Sequence, residues 1–188
     1  MRIAIHVALL AIFLGAGLTA EAQKGKKKQE QVAIPELPMQ DGKVIYTAVE
    51  SVEGDQKALY TKALKWFNSY YKNPSSVITS KDEATFTITG KHRFPVYMDD
   101  NGAQVRGPLC MYNIKVLCKD GRYKYEITDV KQKTASGYPI EKMVTDQRVK
   151  YEHPRAHHIV QMDEHCKAVV YALKKHMAAA GAAKADDW

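Results

Sequence analysis

The chain has 188 residues, of which 45% are hydrophobic and 26% charged, with a formal net charge of +7. Its three cysteines, Cys110, Cys118 and Cys166, are odd in number and badly spaced for a disulfide framework. About 150 residues follow a basic N-terminal stretch, enough for one domain with a real core.

The N-terminus reads as a secretory signal peptide: Arg2, an apolar block from Ile3 to Leu18, then Ala20-Glu21-Ala22 ahead of Gln23. The block is roughly 16 residues, short of the ~20 needed to span a bilayer. Ala20 and Ala22 put small side chains where a signal peptidase requires them. The expectation is an exported chain beginning at Gln23 and working in the periplasm or cell envelope, or outside the cell. No cysteine follows the cut, so a lipoprotein is not expected, nor is a transmembrane segment after cleavage. Losing Arg2 and Glu21 leaves the net charge unchanged.

Lys24, Lys26, Lys27 and Lys28 then crowd beside Gly25, Gln29, Glu30 and Gln31, with no large apolar residue. This is a solvated, disordered arm. Export removes nucleic acid from its expected partners and leaves anionic surfaces. The predicted organisation is a signal peptide over 1–22, the arm and an extended lead-in over 23–40, one domain over 41–180 and a frayed tail over 181–188.

Asp41-Gly42 signals a turn, and Lys43 to Val52, rich in Val, Ile, Tyr and Thr, predicts the first strand. Asp55 can cap a helix running to about Tyr71, whose stripe is Leu59, Ala63, Phe67 and Tyr70, widened by Tyr60, Leu64 and Tyr71. Asn73-Pro74 stops it. Val77 to Thr79 predicts a short strand, and Lys81-Asp82-Glu83 a polar turn. Phe86, Ile88, His92, Phe94 and Val96 then alternate with Thr85, Thr87, Thr89, Lys91 and Arg93, a strand with one buried face. Gly90 breaks the buried row, which points to a bulge or a close contact.

Asn101-Gly102 predicts a hairpin into a strand from Leu109 to Lys119 with Cys110, Tyr112, Ile114, Val116 and Cys118 inward. Cys110 and Cys118 lie about 26 Å apart along it, so they cannot bond to each other. Asp120-Gly121 turns into Arg122–Val130, with Tyr123, Tyr125 and Ile127 inward and Arg122, Lys124, Glu126 and Thr128 outward. Residues 131–156 lack a period and predict a long loop with some helix. Ile159, Met162, Cys166, Val169, Val170, Leu173 and Met177 form the stripe of a second helix. The expected fold class is α+β: an antiparallel sheet of about five strands with two helices on one face, in the order β-α-β-β-β-β-α.

Gly42-Lys43-Val44-Ile45-Tyr46, Lys65-Trp66-Phe67, Gly90-Lys91 with Phe94-Pro95-Val96, and Asp120-Gly121-Arg122-Tyr123-Lys124-Tyr125 with Thr128-Asp129 resemble, in their order, a bacterial secreted family of domains of unknown function (family 4468). The similarity spans about residues 40–130. It implies a TATA-box-binding-protein-like (TBP-like) fold and an exported setting, and transfers no catalytic residue.

No Gly-x-Ser-x-Gly elbow, Walker loop, Cys-x-x-Cys or His-Glu-x-x-His is present, and no cofactor is expected. Two sets of residues remain. Lys91, Arg93, Lys115, Arg122 and Lys124 share the outward sheet face with Thr87, Thr89 and Asn113, a candidate docking surface for an envelope protein, a peptide or an anionic glycan. The tyrosines of these strands fall on the inward row, unlike the stacking aromatics of nucleic-acid readers. The second set is His153, His157, His158, His165 and Cys166, from which His158, Met162 and His165 are the candidate metal ligands. His158 and His165 would be about 10 Å apart along a helix, so a loop ligand such as His153 is needed. Met162 and Cys166 also fit the apolar stripe. Cys166 as a nucleophile would need a base brought from elsewhere, because His165 diverges from it on a helix. The leading expectation is a non-catalytic exported binding module. The alternative is a metal-binding protein or hydrolase using segment 153–166.

Overall fold

The computed structural model describes residues 32–100, 102–146 and 153–179. The expected signal peptide, the lysine-rich arm and the C-terminal tail lie outside them.

Strand β1 (Met39–Gln40) turns through Asp41-Gly42 to pair with β2 (Lys43–Val44), and β3 (Tyr46–Ser51) follows. The single strand expected from Lys43 to Val52 is thus broken, its first residues going to a separate two-stranded hairpin. Helix α1 (Gln56–Tyr70) starts where expected: the Asp55 carboxylate accepts from the Ala58 N–H at 2.7 Å. Its buried residues are Leu59, Tyr60, Ala63, Trp66 and Phe67, with Leu64 and Tyr70 half-buried. Asn73-Pro74 ends that helix and starts another, α2 (Pro74–Val77), with Pro in the first turn, where its missing N–H costs nothing. Val77 is therefore helical, and β4 is Ile78–Asp82, one residue later and longer than expected.

The long strands are β5 (Thr87–Asp100), β6 (Ala103–Lys119) and β7 (Arg122–Gln132). Asp120-Gly121 joins the last two; Gly121 takes φ +70°, a left-handed conformation that suits glycine. Beyond β7 the expected loop contains β8 (Tyr138–Pro139), which pairs with β7, and α3 (Ile140–Thr145). The last helix, α4 (His153–Ala178), begins six residues earlier than its apolar stripe suggested.

The sheet runs β3-β7-β6-β5-β4, all antiparallel, with β8 beside β7. Helices α1 and α4 pack on one face, which is the expected α+β architecture. Ile88, Tyr112, Ile114, Val116 and Ile127 from the sheet meet Phe67 and Trp66 of α1 and Ile159, Met162, Cys166 and Val169 of α4. Gly90 is a close contact: a Cβ there would lie 3.2 Å from Phe67 Cε1, Ile114 Cγ2 and the Val77 carbonyl oxygen. Opposite it, β4 shifts register between Ile78 and Ser80.

Candidate functional site

All five cations of the outer face stand where alternation puts them, away from the helices. Cross-strand pairing sets Thr89 beside Lys115 and Lys115 beside Glu126, and sets Lys91 beside Asn113 and Asn113 beside Thr128. Arg93 lies across from Met111, which faces Lys131, while Arg122 ends the face opposite Lys119. A shallow depression of about 400 Å³ opens at its centre between Thr89, Lys91, Asn113, Lys115, Glu126 and Thr128. Two carboxylates interrupt the positive field: Glu126 pairs with Lys124 at 2.6 Å and Asp129 with Lys131 at 2.7 Å. Lys91, Arg93, Lys115 and Arg122 take part in no ion pair among the described residues.

The histidine segment is arranged differently from the expected ligand set. Position 153 falls in α4 rather than in a loop. Met162 is fully buried in the core. His158 is buried against β6: a Cβ on Gly107 would lie 3.6 Å from its Nε2. His165, two turns along, lies flat on Phe94, with ring centroids 3.7 Å apart and planes at 5°. The two rings therefore serve different neighbours, and among the described residues no group of three or more His, Cys, Asp or Glu could hold a metal ion. Burial lowers the pKa of His158, helped by His157 and Arg155. Burial and then His92 push His165 down to about 4. Both imidazoles are neutral near pH 7.

The cysteines are unbonded and buried. Burial pushes Cys110 and Cys118 up to about 12 and raises Cys166 as well, aided by Asp163 and Cys110. No thiol offers a thiolate at neutral pH, so Cys166 lacks the activation that a nucleophile requires.

Two features had no sequence signal strong enough to single them out. The first is Asp163, a carboxylate 2% exposed that accepts from the Tyr46 hydroxyl at 2.8 Å and from Lys167 at 2.7 Å. It ties α4 to β3. Asp163→Ala strands the buried phenol, and the expected loss is about 2 kcal/mol in urea unfolding, against about 1 kcal/mol for Tyr46→Phe. Losses that simply add in the double variant would show that the two groups do not work as a pair.

The second is a cavity of about 830 Å³ at the β5 edge. Its walls include Tyr70, Tyr71 and Lys72 from the end of α1, five consecutive β5 residues from Lys91 to Pro95, and His165 of α4. Tyr71 is held by a 3.0 Å hydrogen bond between its hydroxyl and that of Tyr112. Burial is the main cause of the raised pKa of Tyr70, Tyr71 and Tyr112 and of the lowered pKa of His92. At neutral pH the cavity therefore presents uncharged rings within a cationic rim.

Residues 46–133 match a family model described as a domain of unknown function (DUF4468) with TBP-like fold. Among solved structures, the chain is similar to a DUF4468 family protein from Bacteroides ovatus ATCC 8483, at 24% identity and a TM-score of 0.53, covering 74% of this chain and 90% of that one. It is also similar to a TBP-like protein from Parabacteroides distasonis ATCC 8503, at 16% identity and a TM-score of 0.52, covering 73% and 96%. At those identities the likeness speaks for the fold. No curated protein matches the chain.

Proposed function

We propose that this chain, whose residues 46–133 form a DUF4468 domain with a TBP-like fold, is an exported, non-catalytic binding module that docks an anionic partner in the cell envelope. The observation behind the reading is the convergence of Lys91, Arg93, Lys115, Arg122 and Lys124 on the one sheet face that the helices leave uncovered. A rigid sheet holds these cations at fixed spacing, which favours an extended anionic surface over a small ligand. The leader-like residues 1–22 support export. Tyr112, Tyr123 and Tyr125 of the sheet are committed to the core and Tyr97, near the far end of β5, is the exposed exception, so the cationic face lacks the array of stacking rings that favours nucleic acid as partner.

Two variants of equal net charge test the reading. One reverses Lys115, Arg122 and Lys124 to Glu on the sheet face. The other reverses the exposed Lys57, Lys65 and Lys175 to Glu on the helices. On a sulfated-dextran column the sheet-face variant is expected to elute at distinctly lower salt than the helix variant, and to recover less partner from envelope extract. Equal elution and equal recovery would overturn the reading, because net charge alone would then explain retention.

A further inference from the structure

We propose that the cavity beside β5 is a second binding site, one that takes an extended acidic peptide segment of a partner protein as an added strand. It shares Lys91 and Arg93 with the sheet face but not Lys115, Arg122 or Lys124, none of which lines it, so substitutions at those three separate the two sites. The starting point is a gap in the sheet. Strand β4 pairs with β5 only from Thr87 to Gly90. Continuing backward from Ile78, the chain would have run along Lys91 to Pro95, but Pro74–Val77 coils into α2 and leaves the sheet instead. The next closed position is Tyr97. There the Gln161 side chain replaces a neighbouring strand: its Oε1 accepts from the Tyr97 N–H and its Nε2 donates to the Tyr97 carbonyl, both at 2.7 Å. Between β4 and Gln161, β6 is the only strand paired with β5 among the described residues.

That gap is about 17 Å long, the reach of roughly five extended residues. An open strand edge recognises another backbone, and side-chain pockets along it then choose the sequence. Because side chains alternate across a strand, a segment added here would send every second residue toward the helix side, where Tyr70, Tyr71, Phe94 and His165 offer aromatic walls. His165 keeps its Nε2 buried without a hydrogen-bond partner among the described residues. The intervening residues would stand beside Lys91 and Arg93 on the outer side, with Lys72 at the rim. None of these three cations has an ion pair among the described residues, and no carboxylate lines the cavity. The matching occupant alternates acidic and large apolar side chains.

The probe is the acetylated, amidated pentapeptide Glu-Phe-Glu-Leu-Glu carrying a fluorophore, added to the whole protein. Saturable binding below about 1 mM is expected. Methylating alternate backbone nitrogens, in each of the two phases, should abolish binding in one phase, because only one set of N–H groups faces β5. Lys72→Glu with Arg93→Glu should weaken binding about tenfold with an unchanged unfolding midpoint, whereas Lys115→Glu with Arg122→Glu should not. Failure of the sheet-face reading would leave this result intact. Equal binding of both methylated peptides, or of a Lys-Phe-Lys-Leu-Lys control, overturns the proposal, as does the absence of saturable binding.

Discussion

Trp66→Ala is expected to cost about 4 kcal/mol of stability, in the range of aromatic truncations in well-packed cores. Trp66 is 2% exposed, stacks on Tyr70 at 4.9 Å and meets Phe67 and Tyr71 edge-on at 5.0 and 5.7 Å. Its indole nitrogen has no hydrogen-bond partner among the described residues, so the loss is one of packing and cavity formation. For a domain held by about 5–15 kcal/mol this is a large share. Urea unfolding followed by circular dichroism reads it directly. The same change removes the support behind Tyr70 and Tyr71, so peptide affinity at the β5 cavity should fall even where the variant remains folded. A loss below about 1 kcal/mol would mean that the α1 aromatics are not packed as described.

The second large effect is acid lability centred on His165. Its pKa is pushed from an ordinary 6.5 down to about 4, first by burial and then by His92, whose own pKa burial lowers. Between those values the unfolded chain binds a proton that the folded protein refuses. The neutral ring's contribution is therefore fully present above pH 6.5 and is lost as pH falls toward 4. The separation corresponds to at most about 3 kcal/mol, less where solvent reaches the ring. His165→Phe keeps a flat aromatic surface on Phe94 and removes the titration. Stability of this variant between pH 7 and pH 5, above the range of ordinary carboxylates, should vary less than that of the parent. An unchanged slope would place the acid sensitivity elsewhere.

Much of the architecture was legible because it is local. The alternation from Thr87 to Val96, the Asp120-Gly121 turn and the Asp55 cap each act within a few residues, and the structure has each where the pattern put it, although Phe86, expected to open the strand, stands before it in a turn at φ +49°. The outward cations follow from the same alternation. Trp66 is legible too: it lies three residues after Ala63, on the stripe beside Phe67 and Tyr70. Pro74 reads as a stop for α1, yet proline is equally at home in a first helical turn, and here it opens α2. The remainder depends on contacts distant in sequence. Nothing near Gln161 reveals that its amide will close the edge at Tyr97, and nothing near His165 reveals Phe94 beneath it. Histidines and a methionine spaced along one helix suggest ligands until the sheet is in place. Packed on that sheet, Met162 fills the core and His165 becomes an aromatic wall.

The outer face as a docking surface is tested most directly by nuclear magnetic resonance titration of the labelled protein with a sulfated oligosaccharide at moderate salt. Saturable shifts are expected on the amides of Lys91, Arg93, Lys115, Arg122 and Lys124, with Lys57, Lys65 and Lys175 little affected. Shifts spread evenly over all basic residues, or confined to the helices, would contradict it.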